Sequence, residues 1–255
     1  MSVFDRNLLF RRRHRASDPF LLTWAKAQID ERLSVITRDC QSPFAFTPEN
    51  DPFTADDFWT VEPDMYDLIT SHLCLHTIND LPGALIQIKR ALKADGVFIG
   101  ALFGGETLRE LRESLMQTEL SMMDGVSPRV FPFADKQDMG ALMQRAGFAL
   151  PVVDSETLTV TYDNAFKLMH DLRAMGESNV IAARDTRYVG REFFTRAAQY
   201  YHDHFAEDDG RIVATFEVLF CLGWSPHESQ QKSLTPGSAK NRLADALKTR
   251  ETKVS

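Results

Sequence analysis

The sequence lacks the features that mark membrane-spanning, disulfide-bonded or nucleic-acid-binding proteins. Its longest apolar run, Val97 to Phe103, has seven residues, whereas a membrane-spanning helix needs about 20. Three cysteines, Cys40, Cys74 and Cys221, lie far apart without the spacing of a zinc site or a disulfide framework, which favours a reducing compartment. The formal net charge is −7, whereas nucleic-acid-binding domains are usually basic. We therefore expect no transmembrane segment, no metal site and no nucleic-acid partner.

Glycine is missing from the first third of the chain, where the first one is Gly83. Turns that bring backbone N–H groups close to a ligand usually need glycine, which adopts conformations that other residues avoid. The sequence also contains no Walker loop, no Gly-x-Ser-x-Gly motif and no cysteine–histidine pair at a recognisable spacing. The first 82 residues therefore contain no Gly-rich turn for a phosphate or a nucleotide.

The N-terminal segment is basic in an otherwise acidic protein. Residues 1–17 contain one acid, Asp5, and five arginines: Arg6, Arg11, Arg12, Arg13 and Arg15. Such a segment fits a mitochondrial presequence, a contact with anionic lipid or phosphate, or a solvated arm or first helix that touches the domain. We favour the last of these interpretations.

The composition, with 44% hydrophobic and 25% charged residues in 255, is that of one large or two small globular domains. Apolar residues at three- and four-residue spacing predict a helix over 18–38, beginning with Asp18 and Pro19. Prolines and acids make residues 40–63 irregular, with at most one short strand near Phe58 to Val61.

From Met65 onward, predicted strands and helices alternate. The predicted strands are 65–73, 97–103, 152–162 and 211–224. The first helix between them is capped by Asn79 or Asp80 and ends before Gly96. The other predicted helices are 106–122, 135–146, 165–175, 190–205 and 238–248. This order predicts a parallel sheet covered by helices on both faces. Ligands of such sheets bind at the carboxyl ends of the strands, which here include Ser71, His72 and Leu73.

Several motifs occur in an order typical of one family. Residues 66–102 read YDLITSHLCLHTINDLPGALIQIKRALKADGVFIGAL, and GGETLRELR, SPRVFPFAD, QRAGFALPVVD, DLRAMGESN and ATFEVLF follow. The first block resembles the second half of a class I S-adenosylmethionine-dependent methyltransferase. The whole set resembles the NADH dehydrogenase (complex I) assembly factor 5 family and its alphaproteobacterial relatives, and more distantly the enzyme that methylates malonyl-carrier protein.

The resemblance implies an α/β fold with a Rossmann-like class I methyltransferase sheet. The sheet is expected to be truncated or degenerate in its first half and to carry a helical lid, residues 164–206, before the last antiparallel strand. We divide the chain into an N-terminal helix with a remnant of the cofactor-binding half (1–64), the methyltransferase-like domain (65–224) and a polar tail (225–255).

The resemblance also implies a function. It predicts an S-adenosylmethionine-dependent enzyme that acts on a protein substrate, for instance an arginine of a respiratory-complex subunit, during complex I assembly. One branch of the family is associated with arginine hydroxylation. Two alternatives remain: a non-catalytic pseudo-methyltransferase that binds or assembles a partner, and an incomplete gene product. The location would be the bacterial cytoplasm, or the mitochondrial matrix in a eukaryote.

Site residues follow from the family's motifs. Asp51, in a remnant of the family's acidic stretch, together with Ser71, His72 and Leu73 would contact S-adenosylmethionine. Arg173, Asn179 and Lys232 would contact the protein substrate. We identify no general base. His72 and His76 flank the cofactor edge, whereas His202 and His204, two residues apart on a helix, do not share a face as metal ligands would.

The segment before Tyr66 is too short for the family's first three strands and their helices, because each crossover unit takes about 30 residues. The strand 65–73 would then have an unpaired flank, and such edges invite association. Either residues 44–62 cover it, or a second chain does, as a homodimer or a partner protein.

Overall fold

The computed structural model describes residues 2–17, 20–123 and 125–231. The helices are α1 (Arg6–Arg13), α2 (Phe20–Ser34), α3 (Leu81–Ala91), α4 (Arg109–Met122), α5 (Lys136–Arg145), α6 (Ala165–Ala174) and α7 (Gly190–Phe205). The strands are β1 (Pro43–Phe46), β2 (Tyr66–His72), β3 (Leu92–Phe103), β4 (Ala149–Tyr162) and β5 (Ile212–Trp224). A short 3-10 turn, Leu75–Thr77, follows β2.

The strands form one mixed sheet in the order β1-β2-β3-β5-β4. β1, β2 and β3 run parallel, and β5 runs antiparallel to β3 and β4. Successive residues of β3 point to opposite faces: Ile99 and Phe103 pack with α2, α4, α6 and α7, whereas Phe98 and Leu102 pack with α3 and α5. The α/β prediction and the antiparallel last strand are therefore confirmed, whereas the wholly parallel sheet predicted from the order of elements is wrong, because β5 runs against both of its neighbours.

Among the described residues, short polar side chains cap four of the helices, and at α1 the Asp5 carboxylate accepts the Leu8 N–H at 2.9 Å. The Asp80 carboxylate accepts the Gly83 N–H at 2.9 Å, that of Asp135 accepts the Asp138 N–H at 2.7 Å, and the Asn164 amide oxygen accepts the Lys167 N–H at 3.1 Å. Such caps satisfy N–H groups that the first helical turn leaves unpaired.

The sheet edge next to β2 differs from the prediction. The strand there is Pro43–Phe46, which pairs with β2 in parallel, and residues 58–61 form none. Trp59 instead stacks on Phe44, with 5.2 Å between the ring centroids. The backbone N–H of Trp59 donates to the Gln87 side chain. Residues 44–62 therefore cover the edge of β2, as the first alternative required.

The turn between β3 and α4 binds a carboxylate of the chain itself. The Glu217 carboxylate accepts the Glu106 N–H at 3.0 Å, and the Thr107 hydroxyl donates to the Glu217 carbonyl. Leu108 adopts a left-handed conformation, with φ of 56°, so α4 begins at Arg109 rather than at residue 106.

The N-terminal helix packs against the domain. The Asn79 side chain accepts the N–H groups of Val3 and Phe4, both at 2.7 Å, and Phe4 forms an isolated bridge with Ile181. Within the described residues, no helix is long and apolar enough to cross a membrane. The predicted Asp18–Pro19 cap, Lys232 and the helix over 238–248 lie outside the described residues.

Candidate functional site

The carboxyl ends of β2 and β3 enclose a small cavity of about 40 Å³. Its lining includes Arg13 from α1, Leu73 after β2, Phe103 at the end of β3, and Glu177 after α6. An open groove of about 660 Å³ adjoins it and shares Arg13 and three other lining residues. This edge of the sheet is where parallel α/β folds bind their ligands.

Three buried polar side chains converge beside this cavity. Arg13 donates to one Glu177 oxygen from Nη2 at 2.9 Å and from Nε at 3.2 Å. His76 Nε2 lies 3.1 Å from the other Glu177 oxygen. Arg13 Nη2 also reaches the Leu73 carbonyl at 3.4 Å, so helix α1 is tied to the end of β2. Arg13, His76 and Glu177, here called the Arg13 cluster, therefore join α1, the loop after β2 and the loop after α6.

The charges of the Arg13 cluster follow from its burial. Burial alone would raise the pKa of Glu177, but the charge of Arg13 and hydrogen bonds from His76 and Arg13 lower it to about 2. Burial lowers the pKa of His76, and the attraction of Glu177 offsets only part of that effect. A neutral His76 then donates its Nε2 proton to Glu177. Its Nδ1, which is buried, has no hydrogen-bond partner among the described residues.

A second buried cluster holds Asp51, one of the predicted cofactor contacts. Arg6 Nη2 lies 3.0 Å from the Asp51 carboxylate, and Arg6 Nε lies 3.1 Å from that of Asp57. Arg6 also donates to the carbonyls of Thr54 and Phe53. Arg6, Asp51 and Asp57, here called the Arg6 cluster, fix α1 to residues 51–57.

The other three predicted cofactor residues lie at the end of β2. Leu73 lines the small cavity and adopts a left-handed conformation, with φ of 53°. The Ser71 hydroxyl is buried without a hydrogen-bond partner in the described part of the chain. His72 Nε2 lies 3.0 Å from the Thr70 hydroxyl. The structure thus places Ser71, His72 and Leu73 together, with Asp51 held separately in the Arg6 cluster.

Burial should hold the pKa of His72 far below that of an ordinary histidine. Its pKa is lowered from 6.5 to about 4, first by burial and then by the charge of Lys26. Because the unfolded chain binds this proton more tightly than the folded protein does, the folded protein should keep its full stability above pH 6.5 and lose part of it as the pH falls from 6.5 through 4. NMR titration of the imidazole Cε1–H should give the low pKa, with His72→Gln to assign the signal. A midpoint near 6.5 in the folded protein would contradict the burial argument.

Two of the predicted protein-contacting residues line one cavity. Arg173 and Asn179 lie in a cavity of about 340 Å³ between α4, α6 and α7. The backbone carbonyl of Asn179 accepts a hydrogen bond from Arg12 Nη1 at 2.6 Å. The Asn179 side chain donates one to the Pro128 carbonyl at 2.9 Å. Arg173 is exposed and makes no hydrogen bond or ion pair with the described residues.

The histidines of α7 have local partners. His204 stacks on Tyr200 with ring centroids 3.9 Å apart, and its Nδ1 lies 2.9 Å from the Tyr200 carbonyl. His202 is half exposed next to Asp203. Across the described ranges, no group of three or more histidine, cysteine, aspartate or glutamate side chains is placed to hold a metal ion.

The residues that follow β1 do not fit S-adenosylmethionine in the way that the resemblance implies. Backbone N–H groups usually approach a ligand through a Gly-rich turn, but the turn after β1 is Thr47-Pro48-Glu49-Asn50. The Asn50 amide oxygen accepts the Thr47 N–H, and the Asn50 N–H donates to the Thr47 carbonyl at 3.1 Å. These N–H groups are therefore used within the turn. The enclosed cavity of about 40 Å³ is also far smaller than the roughly 300–1,000 Å³ of cofactor pockets.

Comparison with known proteins identifies the sequence family. A family model described as a methyltransferase domain matches residues 11–151. The mitochondrial arginine-hydroxylase NDUFAF5 of Dictyostelium discoideum is 44% identical over 185 residues, which cover 72% of this chain and 42% of that protein. Its Homo sapiens counterpart is 43% identical over 184 residues, 72% of this chain and 53% of that protein. These matches confirm the resemblance to methyltransferase domains and to assembly factor 5 proteins.

The more distant resemblance is confirmed as well. A malonyl-[acyl-carrier protein] O-methyltransferase of Halorhodospira halophila is 34% identical over 177 residues, 69% of this chain and 58% of that protein. The chain spans about half the length of the curated relatives that it matches.

The solved structures below resemble this chain only in part. The Bacillus subtilis YcgJ protein has a TM-score of 0.43 at 15% identity, covering 67% of this chain and 68% of that one. A Haemonchus contortus phosphoethanolamine N-methyltransferase 2 in complex with S-adenosyl-L-methionine has a TM-score of 0.36 at 15% identity, covering 66% and 35%.

Proposed function

Because this chain belongs to the family of methyltransferase-domain proteins, we propose that it uses that fold to bind a partner protein during assembly of respiratory complex I. In this proposal it does not transfer a methyl group from a cofactor in the family's usual position. It would act in the bacterial cytoplasm or, in a eukaryote, in the mitochondrial matrix. The observation that carries the proposal is the Arg13 side chain, which lies buried over the carboxyl ends of the strands.

Displacing Arg13 would be costly. Its side chain is 1% exposed and is paired with Glu177, which is itself buried. Removing one member of a buried ion pair costs about 3–5 kcal/mol, because the other charge is left without a partner. A ligand that needed the position of Arg13 would lose that much binding free energy. The contact is therefore suited to hold α1 on the domain rather than to give way to a cofactor.

A second candidate function is S-adenosylmethionine-dependent methyl transfer to a protein. The groove of about 660 Å³ supports it, since its volume lies in the range of cofactor pockets. The lining combines the guanidinium of Arg11 and the imidazole of His14 with the carboxylates of Glu49 and Asp51, a mixture that suits a zwitterionic ligand. In this alternative the cofactor would occupy an unusual position outside the small cavity.

Titration calorimetry with S-adenosylmethionine and S-adenosylhomocysteine separates the two functions. We expect no binding tighter than ~100 μM, which corresponds to about 5.5 kcal/mol. Near-ultraviolet circular dichroism would show that the protein is folded. Tighter binding that is weakened by Arg11→Ala would place the cofactor in the groove and would contradict the non-catalytic proposal.

A further inference from the structure

Three adjoining cavities follow the irregular segment between α4 and α5. Their volumes are about 690, 470 and 340 Å³. The first two share Val126, Ser127 and Pro128 in their linings. The second and third share four residues: Leu115, Arg129, Val130 and Phe131. The cavities are therefore contiguous, and together they form what we call the 125–133 groove.

The floor of the 125–133 groove is apolar. It includes Leu111, Leu115, Val130, Phe131, Met169 and Phe194. Large apolar side chains along it are also exposed to solvent: Met116 at 39%, Val126 at 49% and Tyr188 at 92%. Exposed apolar surface of this kind with a polar rim marks interaction sites. A chain of contiguous cavities suits an extended segment better than one compact ligand.

The rim of the groove is basic, although the chain as a whole has a net charge of −7. The described lining includes five arginines: Arg12, Arg112, Arg129, Arg173 and Arg187. It also includes three acids, and each of them forms an ion pair with an arginine: Glu119 with Arg129, Asp185 with Arg187, and Glu177 with Arg13.

Three of these arginines have no carboxylate partner in the described ranges. Arg12 donates to the Asn179 carbonyl at 2.6 Å, and Arg112 donates to the carbonyls of Thr107 and Phe131. Arg173 has no hydrogen bond or ion pair. Burial lowers the pKa of Arg12, the charges of Arg184 and Arg173 lower it further, and the charge of Asp5 offsets part of this effect. An anion placed between Arg12 and Arg173 would relieve the repulsion between these two charges.

We propose that the 125–133 groove binds an acidic, extended segment of a partner protein. Apolar side chains of the segment would enter the floor, and its carboxylates would pair with Arg12, Arg112 and Arg173. This inference rests on the proposed protein-binding function and adds the chemistry of the partner.

The chain's own C-terminal segment does not suit the groove. Residues 232–255 contain six lysines and arginines against two acids. Their charge therefore has the same sign as the rim of the groove. A second copy of the chain remains an outcome that the experiment distinguishes.

Fluorescence polarisation with synthetic peptides tests the inference. The probe is a fluorescein-labelled peptide of about ten residues, ~33 Å when extended, in which glutamates alternate with leucine and phenylalanine. One control peptide has lysine in place of glutamate, and another has serine in place of leucine and phenylalanine. We expect the acidic apolar probe to bind at least tenfold more tightly than either control, and its affinity to fall several-fold with added salt.

Matched variants locate the binding. Arg173→Glu should weaken binding of the acidic probe at least fivefold. Lys167→Glu is the matched control, because it makes the same charge change at an exposed position of α6 outside the lining. It should leave the affinity for the probe unchanged. Equal affinities for both variants, or no preference for the acidic probe, would overturn the inference. Light scattering that shows a dimer dissociated by Arg173→Glu would also overturn it, in favour of a second copy. The calorimetry with S-adenosylmethionine needs no peptide, so the failure of each proposal is seen separately.

Discussion

Replacing Arg6 by methionine should lower the free energy of unfolding by about 5 kcal/mol. The Arg6 side chain is 0% exposed and pairs with two carboxylates, those of Asp51 and Asp57, which are also buried. Methionine would fill much of the same space but would leave both acids without their cation. The cost is large because an uncompensated charge in a buried site loses its hydration and gains nothing in return.

Urea denaturation followed by circular dichroism measures this change. Arg11→Met is the matched control, because Arg11 is exposed on the same helix, and we expect it to shift stability by no more than ~0.5 kcal/mol. If Arg6→Met lowered the free energy of unfolding by less than ~1 kcal/mol, the Arg6 cluster would contribute little to holding α1 on the domain.

The second large effect is expected for Glu177→Gln. This substitution keeps the size of the side chain but removes the charge opposite Arg13, whose Nη2 lies 2.9 Å from the carboxylate. We expect a loss of about 3 kcal/mol at pH 7. The pKa of Glu177 is lowered from 4.5 to about 2 in the folded protein. Its contribution is therefore complete above pH 4.5 and is lost as the pH falls towards 2.

The pH dependence distinguishes a charged pair from simple packing. The native protein should lose stability between pH 4.5 and 2 more steeply than Glu177→Gln, since the variant lacks the titrating group. Glu192→Gln removes an exposed pair with Arg196 and serves as the control, with an expected change below ~0.5 kcal/mol. Parallel pH profiles for the native protein and Glu177→Gln would show that Glu177 does not titrate as the geometry requires.

Local sequence signals predicted much of the fold. The Asp80 cap and the continuous apolar run of β3 depend on neighbouring residues, and both are found. Strand β1 was missed because Pro43–Phe46 is only four residues long and begins with proline. Its place in the sheet depends on β2 and on the ring of Trp59, which no local pattern shows.

The buried clusters were not predictable in the same way. Arg6 and Arg13 lie in a basic stretch that is typical of solvated residues, yet both side chains are buried with Leu9 on one face of α1. The seven-residue spacing of Arg6 and Arg13 is a signal that they share a face. Their partners, however, are as distant in sequence as Glu177, so sequence alone could not pair them. Arg173 and Asn179 line one cavity, but their contacts with a substrate stay predictions, as do the contacts proposed for Asp51 and Lys232.

The contacts of α1 impose an order on how the chain folds during synthesis. Asp5 donates its N–H to the Val180 carbonyl, and Arg12 and Arg13 bind Asn179 and Glu177. A ribosome that adds about 5–20 residues per second would reach those partners roughly 8–30 s after α1. Throughout that interval the apolar face of α1, with Leu9, would have no completed surface on which to dock. Helix α1 is thus translated well before residues 177–180, against which it packs, and it docks late although it lies early in the chain.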